Sequence, residues 1–182
     1  MVVLKKILDF YINSSLHVAL SAFALVSMTQ YFFGVQGDFS VAFFAFFGTV
    51  VGYNFVKYDA IARLNKTEIK KELKVIVFLS FISLLACFYF FLQLSWMSKV
   101  SAFAFFGLTL LYTLPFFPNK QNARNWKGVK IYIVGITWVG VTVILPLVEA
   151  EIPFSMDVLL MAFQRFLLVF SIVLVFDIVD VK

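Results

Sequence analysis

One cysteine and one histidine occur in 182 residues. A lone Cys87 cannot form an intramolecular disulfide, and one His beside one Cys leaves a zinc site without its usual donors. Charge is scarce as well. Asp, Glu, Lys and Arg make up 14% of the chain, where a soluble domain carries roughly a quarter. There is no tandem repeat, no Pro- or Ser-rich linker and no low-complexity tract beyond an excess of phenylalanine. What fills the chain is apolar: 63% hydrophobic residues, 25 Phe and a mean hydropathy of +0.98. That balance excludes a disordered chain and points to an integral membrane protein. The net charge of +5 would suit nucleic acid in a soluble domain. In a membrane protein its distribution matters more, and no nucleic-acid partner is expected.

A helix crosses the hydrocarbon core with about 20 apolar residues. Six runs meet that need: Leu16–Phe33, Phe39–Val56, Val75–Leu94, Val100–Phe117, Ile131–Val148 and Val158–Phe176. They are continuous rather than alternating and about twice the length of a barrel strand, so helices are expected. The fold class is therefore all-α, a polytopic transmembrane bundle of six spans forming a single domain over residues 1–182. The short connections Gly34–Asp38, Ser95–Lys99 and Glu149–Asp157 predict antiparallel hairpins. Leu4–Tyr11, with Lys5, Lys6 and Asp9 among apolar residues, reads as an interfacial helix. The first span is expected to be a retained helix rather than a cleaved signal peptide, because apolar sequence continues to Phe33 and Asp9, Asn13 and His17 interrupt the apolar stretch behind Lys5 and Lys6.

Two longer connections are basic. Lys57–Lys74 carries Lys57, Arg63, Lys66, Lys70, Lys71 and Lys74, and Pro118–Lys130 carries Lys120, Arg124, Lys127 and Lys130. With the N-terminus inside, these, Lys5, Lys6 and Lys182 share one side. The other side holds Lys99 alone, and Arg165 lies within a span. The positive-inside rule thus puts both termini and both basic loops in the cytoplasm, as in a bacterial inner-membrane protein.

Polar groups in or at the ends of spans are the candidates for function. Asn54, Lys57 and Tyr58 share a face at the end of the second span, followed by Asp59. A solvated helix end explains Lys57 and Asp59 equally well. Gly48 and Gly52 form a small-xxx-small pattern that reads as packing. Asp177 and Asp180 project from one side of the sixth span's end. Carboxylates oppose the macrodipole there, and a pair of them suits Mg²⁺ beside a phosphate. Tyr112 precedes Pro115, Pro118 and Lys120, with Arg124 beyond. Arg165, next to Gln164, is either functional or snorkels to the outer headgroups. Acids for a divalent cation and cations for phosphate fall at the ends of three helices on one face, an arrangement suited to a diphosphate with an apolar tail.

In their order these residues resemble the UbiA-type intramembrane prenyltransferases, most closely the divergent flavobacterial members. The likeness runs through Gly52-Tyr53 to Arg63, Tyr112 to Lys120, and Phe176 to Lys182. It implies a nine-helix bundle in which two Asp-rich motifs bind Mg²⁺ and an allylic diphosphate. An aromatic or quinone-precursor acceptor then takes the polyprenyl group. The resemblance assigns metal binding to Asp177 and Asp180, with Asp59 left from the first motif. It assigns diphosphate binding to Lys120 and Arg124, with Asn54, Lys57 and Tyr112 beside them. The family's next acid would fall four residues after Asp180, so the resemblance implies a fragment of a longer protein. The first motif departs from the pattern: aligned through Gly52-Tyr53 it meets Val56 and Lys57, and aligned through Asn54 it meets Phe55. The alternatives are a non-catalytic prenyl-lipid-binding protein and a small transporter, though no internal repeat favours the latter.

Overall fold

The computed structural model describes residues 2–35, 39–64, 71–113 and 128–180, with side chains over 4–35, 39–58, 73–113 and 128–175. Every regular element among them is helical. The seven helices are α1 (Val2–Asn13), α2 (Leu16–Phe32), α3 (Ser40–Leu64), α4 (Lys71–Gln93), α5 (Trp96–Thr113), α6 (Val129–Glu149) and α7 (Met156–Asp180). Helix α6 is not uniform: a π-helical turn, Gly140–Ile144, separates α-helical Val129–Val139 from Leu145–Glu149.

Among the described residues, four helices are long and apolar enough to cross a membrane: Ser40–Tyr58, Leu73–Gln93, Val129–Glu149 and Met156–Val175. A fifth span arises if α1 and α2, bent by 63°, are taken together. This differs from the expected six at two places. Helix α2 has 17 residues, about 25 Å at 1.5 Å each, short of the ~30 Å hydrocarbon core. Helix α5 has 18 residues with Ser98, Lys99 and Ser101 near its start, and the rest of the expected run, to Phe117, lies outside the described residues. The apolar surface still demands lipid. Only 11% of the α4 span and 17% of the α7 span are buried, and Phe78, Phe81, Phe88 and Leu92 of α4 are exposed. Water does not tolerate apolar faces of that extent on a monomer. The chain is an integral multi-pass membrane protein.

The chain divides into two compact units, residues 1–28 with 37–94 and residues 29–36 with 95–182. In the first, α3 and α4 form an antiparallel pair, although the long basic connection joins them. Contacts run from Ser40–Gln93 (3.0 Å) through the stacked Phe43, Phe47 and Phe90 rings to Asn54–Ser80 (2.9 Å). The expected small-residue motif acts at one position only. Cys87 Sγ would lie 3.5 Å from a Cβ at Gly48, whereas a Cβ at Gly52 would meet nothing within 4 Å among the described residues.

In the second unit α6 and α7 pack as the predicted hairpin around Val143, Leu147 and Val158. The sequence determines the ends of its helices. Gly34, with φ +68°, stops α2, its N–H donating to Tyr31 O while Val35 N–H donates to Gln30 O; this pairing closes a Schellman turn. A second such turn ends α6. Glu151 N–H donates to Val148 O and Ile152 N–H to Leu147 O, and Ile152 packs on the Leu147 cluster. Ser95 and Ser155 cap α5 and α7 through bonds from Ser98 N–H and Val158 N–H. The Glu149 carboxylate also accepts the Ser95 N–H at 2.9 Å, placing negative charge at the α5 N-terminus.

Candidate functional site

The last turns of the α3 span carry the best-defined candidate. Helix α3 turns Asn54 towards α4, where it is 3% exposed. Its Nδ2 donates to Ser80 Oγ at 2.9 Å, and Ser80 Oγ donates in turn to Ile76 O at 2.8 Å. Asn54 Oδ1 is buried and accepts no hydrogen bond among the described residues. An unmet acceptor in an apolar interior costs roughly 1–3 kcal/mol, so this atom calls for a donor.

One turn further on, Lys57 faces a different neighbour. Its Nζ donates to Asn13 O and Asn13 Oδ1, each at 3.3 Å, and lies 5.5 Å from the Tyr58 ring centroid. Tyr58 OH donates to Asn13 O at 2.8 Å. Asn13 is the last residue of α1, and the final carbonyls of a helix lack intrahelical donors. A cation there also meets the negative end of the macrodipole. Lys57 and Tyr58 therefore fasten α1 to α3.

The other expected site residues are distributed as follows. Tyr112 is half-buried near the end of α5, in the second unit. Asp59 lies in α3, and Asp177 and Asp180 lie in α7 at the predicted spacing, but their side chains fall outside the described residues. Lys120 and Arg124 fall outside them altogether. No group of three or more His, Cys, Asp or Glu able to hold a metal occurs among the described residues.

No known protein family, no curated protein and no solved structure matches this chain.

A second polar centre, within the second unit, joins Arg165 to Thr29 and Thr142, two residues that sequence reasoning passed over. Arg165 is 2% exposed, so it does not snorkel. Its Nη2 donates to Thr29 Oγ1 at 3.4 Å and touches Met161 Sδ at 3.9 Å. Thr29 Oγ1 donates to Thr142 O at 2.7 Å. The cause lies four residues on. Pro146 has no N–H for the Thr142 carbonyl, and its ring crowds that carbonyl. The π-turn widens the helix there, and the Thr29 hydroxyl supplies a donor. A proline late in an apolar run was the available signal; Thr29, 113 residues away, was not.

Proposed function

We propose that this protein is a UbiA-like prenyltransferase of the bacterial inner membrane, with its N-terminus and basic loops in the cytoplasm. It transfers a polyprenyl group from an allylic diphosphate to an aromatic or quinone-precursor acceptor. The observation that supports this most is Asn54, a buried amide with an unmet acceptor, one turn before Lys57 at the end of an apolar helix. Polar groups in such a position within a membrane serve a ligand or a neighbour, and Oδ1 accepts no hydrogen bond among the described residues. In this reading Lys120 and Arg124 take the diphosphate charge, with Asn54, Lys57 and Tyr112 beside them. Asp177, Asp180 and Asp59 provide the oxygen donors that Mg²⁺ prefers. Bound Mg²⁺ would offset negative charge on the departing diphosphate.

The test is equilibrium binding of labelled farnesyl and geranylgeranyl diphosphates to the full chain in nanodiscs, with and without Mg²⁺, followed by a transfer assay. Saturable Mg²⁺-dependent binding is expected, lost in Asn54→Leu and Lys120→Ala. Asn54→Leu removes both the amide and its unmet acceptor, so its stability should change by less than about 1 kcal/mol. Absence of both binding and transfer overturns the proposal. A second reading, a non-catalytic prenyl-lipid-binding protein, is favoured by Lys57 being engaged at the end of α1. It requires binding that is indifferent to Mg²⁺.

A further inference from the structure

The second unit contains a groove of about 450 Å³ lined by Phe32, Phe33, Asp157, Leu160, Met161 and Gln164. Four of these come from α7 at positions i, i+3, i+4 and i+7, which is one helical face. The other two end α2. Two walls are fixed before any ligand arrives: Phe33 packs on the Val143, Leu147 and Val158 cluster, and Met161 Sδ rests against Arg165 Nη2. The groove is remote from Asp177 and Asp180. Asp157 and Asp177 are twenty residues apart in one helix, about 30 Å and thus close to the thickness of the hydrocarbon core.

The order of side chains along α7 matches the order of groups in a phospholipid. Asp157 lies in the first turn of α7, where a span meets the headgroups. Gln164 lies seven residues deeper, about 10 Å along the axis, with Leu160 and Met161 between them. Phe32 and Phe33 stand at the opposite rim, where aromatic rings favour the interface. A carboxylate at the headgroup level attracts a cation and repels an anionic headgroup. A primary ammonium offers it three N–H donors, whereas a quaternary ammonium offers none.

We infer that this groove holds a phospholipid with a primary ammonium headgroup, the ammonium on Asp157, an ester oxygen within reach of Gln164 and an acyl chain along Leu160 and Met161. The site does not depend on the prenyltransferase reading. Its test is native mass spectrometry of the full chain, released from nanodiscs of equimolar ethanolamine, choline and glycerol phospholipids of identical acyl chains. The ethanolamine lipid should be retained about fivefold over the other two, the scale of one partly solvated ion pair. Asp157→Asn should abolish that preference, and Asp157→Glu should restore it. Gln164→Leu should weaken retention of all three lipids without changing their order. Equal retention of the three, a preference for the glycerol or choline lipid, or an ethanolamine preference that survives in Asp157→Asn overturns the assignment. Unfolding of each variant in lipid-free detergent separates lost binding from lost structure.

Discussion

Thr29 shows how much can rest on a single hydroxyl in an apolar interior. It is fully buried, donates to the Thr142 carbonyl at 2.7 Å and accepts from Arg165 at 3.4 Å. Its partner carbonyl is the one that Pro146 cannot serve, so the hydroxyl and the proline should be energetically coupled. Thr29→Val keeps the shape and removes the donor. In a membrane protein such a bond contributes about 1 kcal/mol, and the unfolding free energy in bicelles should fall by that amount. Pro146→Ala returns an N–H to the helix. In that background Thr29→Val should cost only a few tenths of a kcal/mol, because Thr142 O regains a donor. Equal costs in the two backgrounds would show that the hydroxyl does not compensate for the proline. Asn54 stands in contrast, since its Oδ1 has no such donor. Two buried polar residues of similar size thus differ: one completes a helix, and the other keeps an acceptor that no described residue serves.

At the scale of elements, close packing depends on glycines that no pattern marked. A Cβ at Gly140 would overlap the Phe105 ring, and one at Gly135 would come within 2.8 Å of Phe166. Gly140→Ala should therefore destabilise the chain by about 1–3 kcal/mol through overpacking. Gly52→Ala, with open space at the Cβ, should stabilise α3 by up to about 1 kcal/mol through helix propensity. Thermal unfolding in one detergent compares the two; a neutral Gly140→Ala would mean that the Phe105 ring swings aside freely. The existence of the helices was legible in the sequence because long apolar runs leave no alternative in lipid. Their ends were less so. Hydropathy reports where a span leaves the bilayer, whereas caps and turns decide where a helix stops, so α3 continues to Leu64 and α7 to Asp180 beyond their apolar runs. The α1–α2 bend at Ser14-Ser15 carries no glycine or proline, and Ser15 takes the left-handed conformation, φ +61°. Helical periodicity predicts a common face for Asn54 and Lys57, yet the two side chains turn to different neighbours, α4 and α1. Their partners, Ser80 and Asn13, come from distant parts of the chain and left no local trace.

For the molecule in its membrane, α5 is the open variable that bears on the candidate site. Its 18 residues span about 27 Å, and hydropathy alone does not commit it to crossing. The charge beyond it does. Lys120, Arg124, Lys127 and Lys130 follow α5, each worth about 1 kcal/mol near an anionic cytoplasmic surface, whereas Lys99 near its other end has a side chain long enough to reach opposite headgroups if α5 crosses. Together these should hold α5 across the bilayer and return residues 114–127 to the cytoplasm. The consequence reaches the candidate site. If α5 crosses, Asp59, Lys120, Asp177 and Asp180 emerge on one side; if it does not, α6 and α7 reverse, and Asp59 is parted from the other three. Three single-cysteine variants in a Cys87→Ala background, Lys66→Cys, Gln121→Cys and Glu151→Cys, decide between these arrangements. With α5 crossing, a membrane-impermeant maleimide labels Glu151→Cys in intact cells, and labels Lys66→Cys and Gln121→Cys only after permeabilisation. Labelling of Gln121→Cys in intact cells, with Lys66→Cys still protected, would place α5 outside the bilayer. It would also leave the diphosphate site divided between two faces of the membrane, where it could not act as one site.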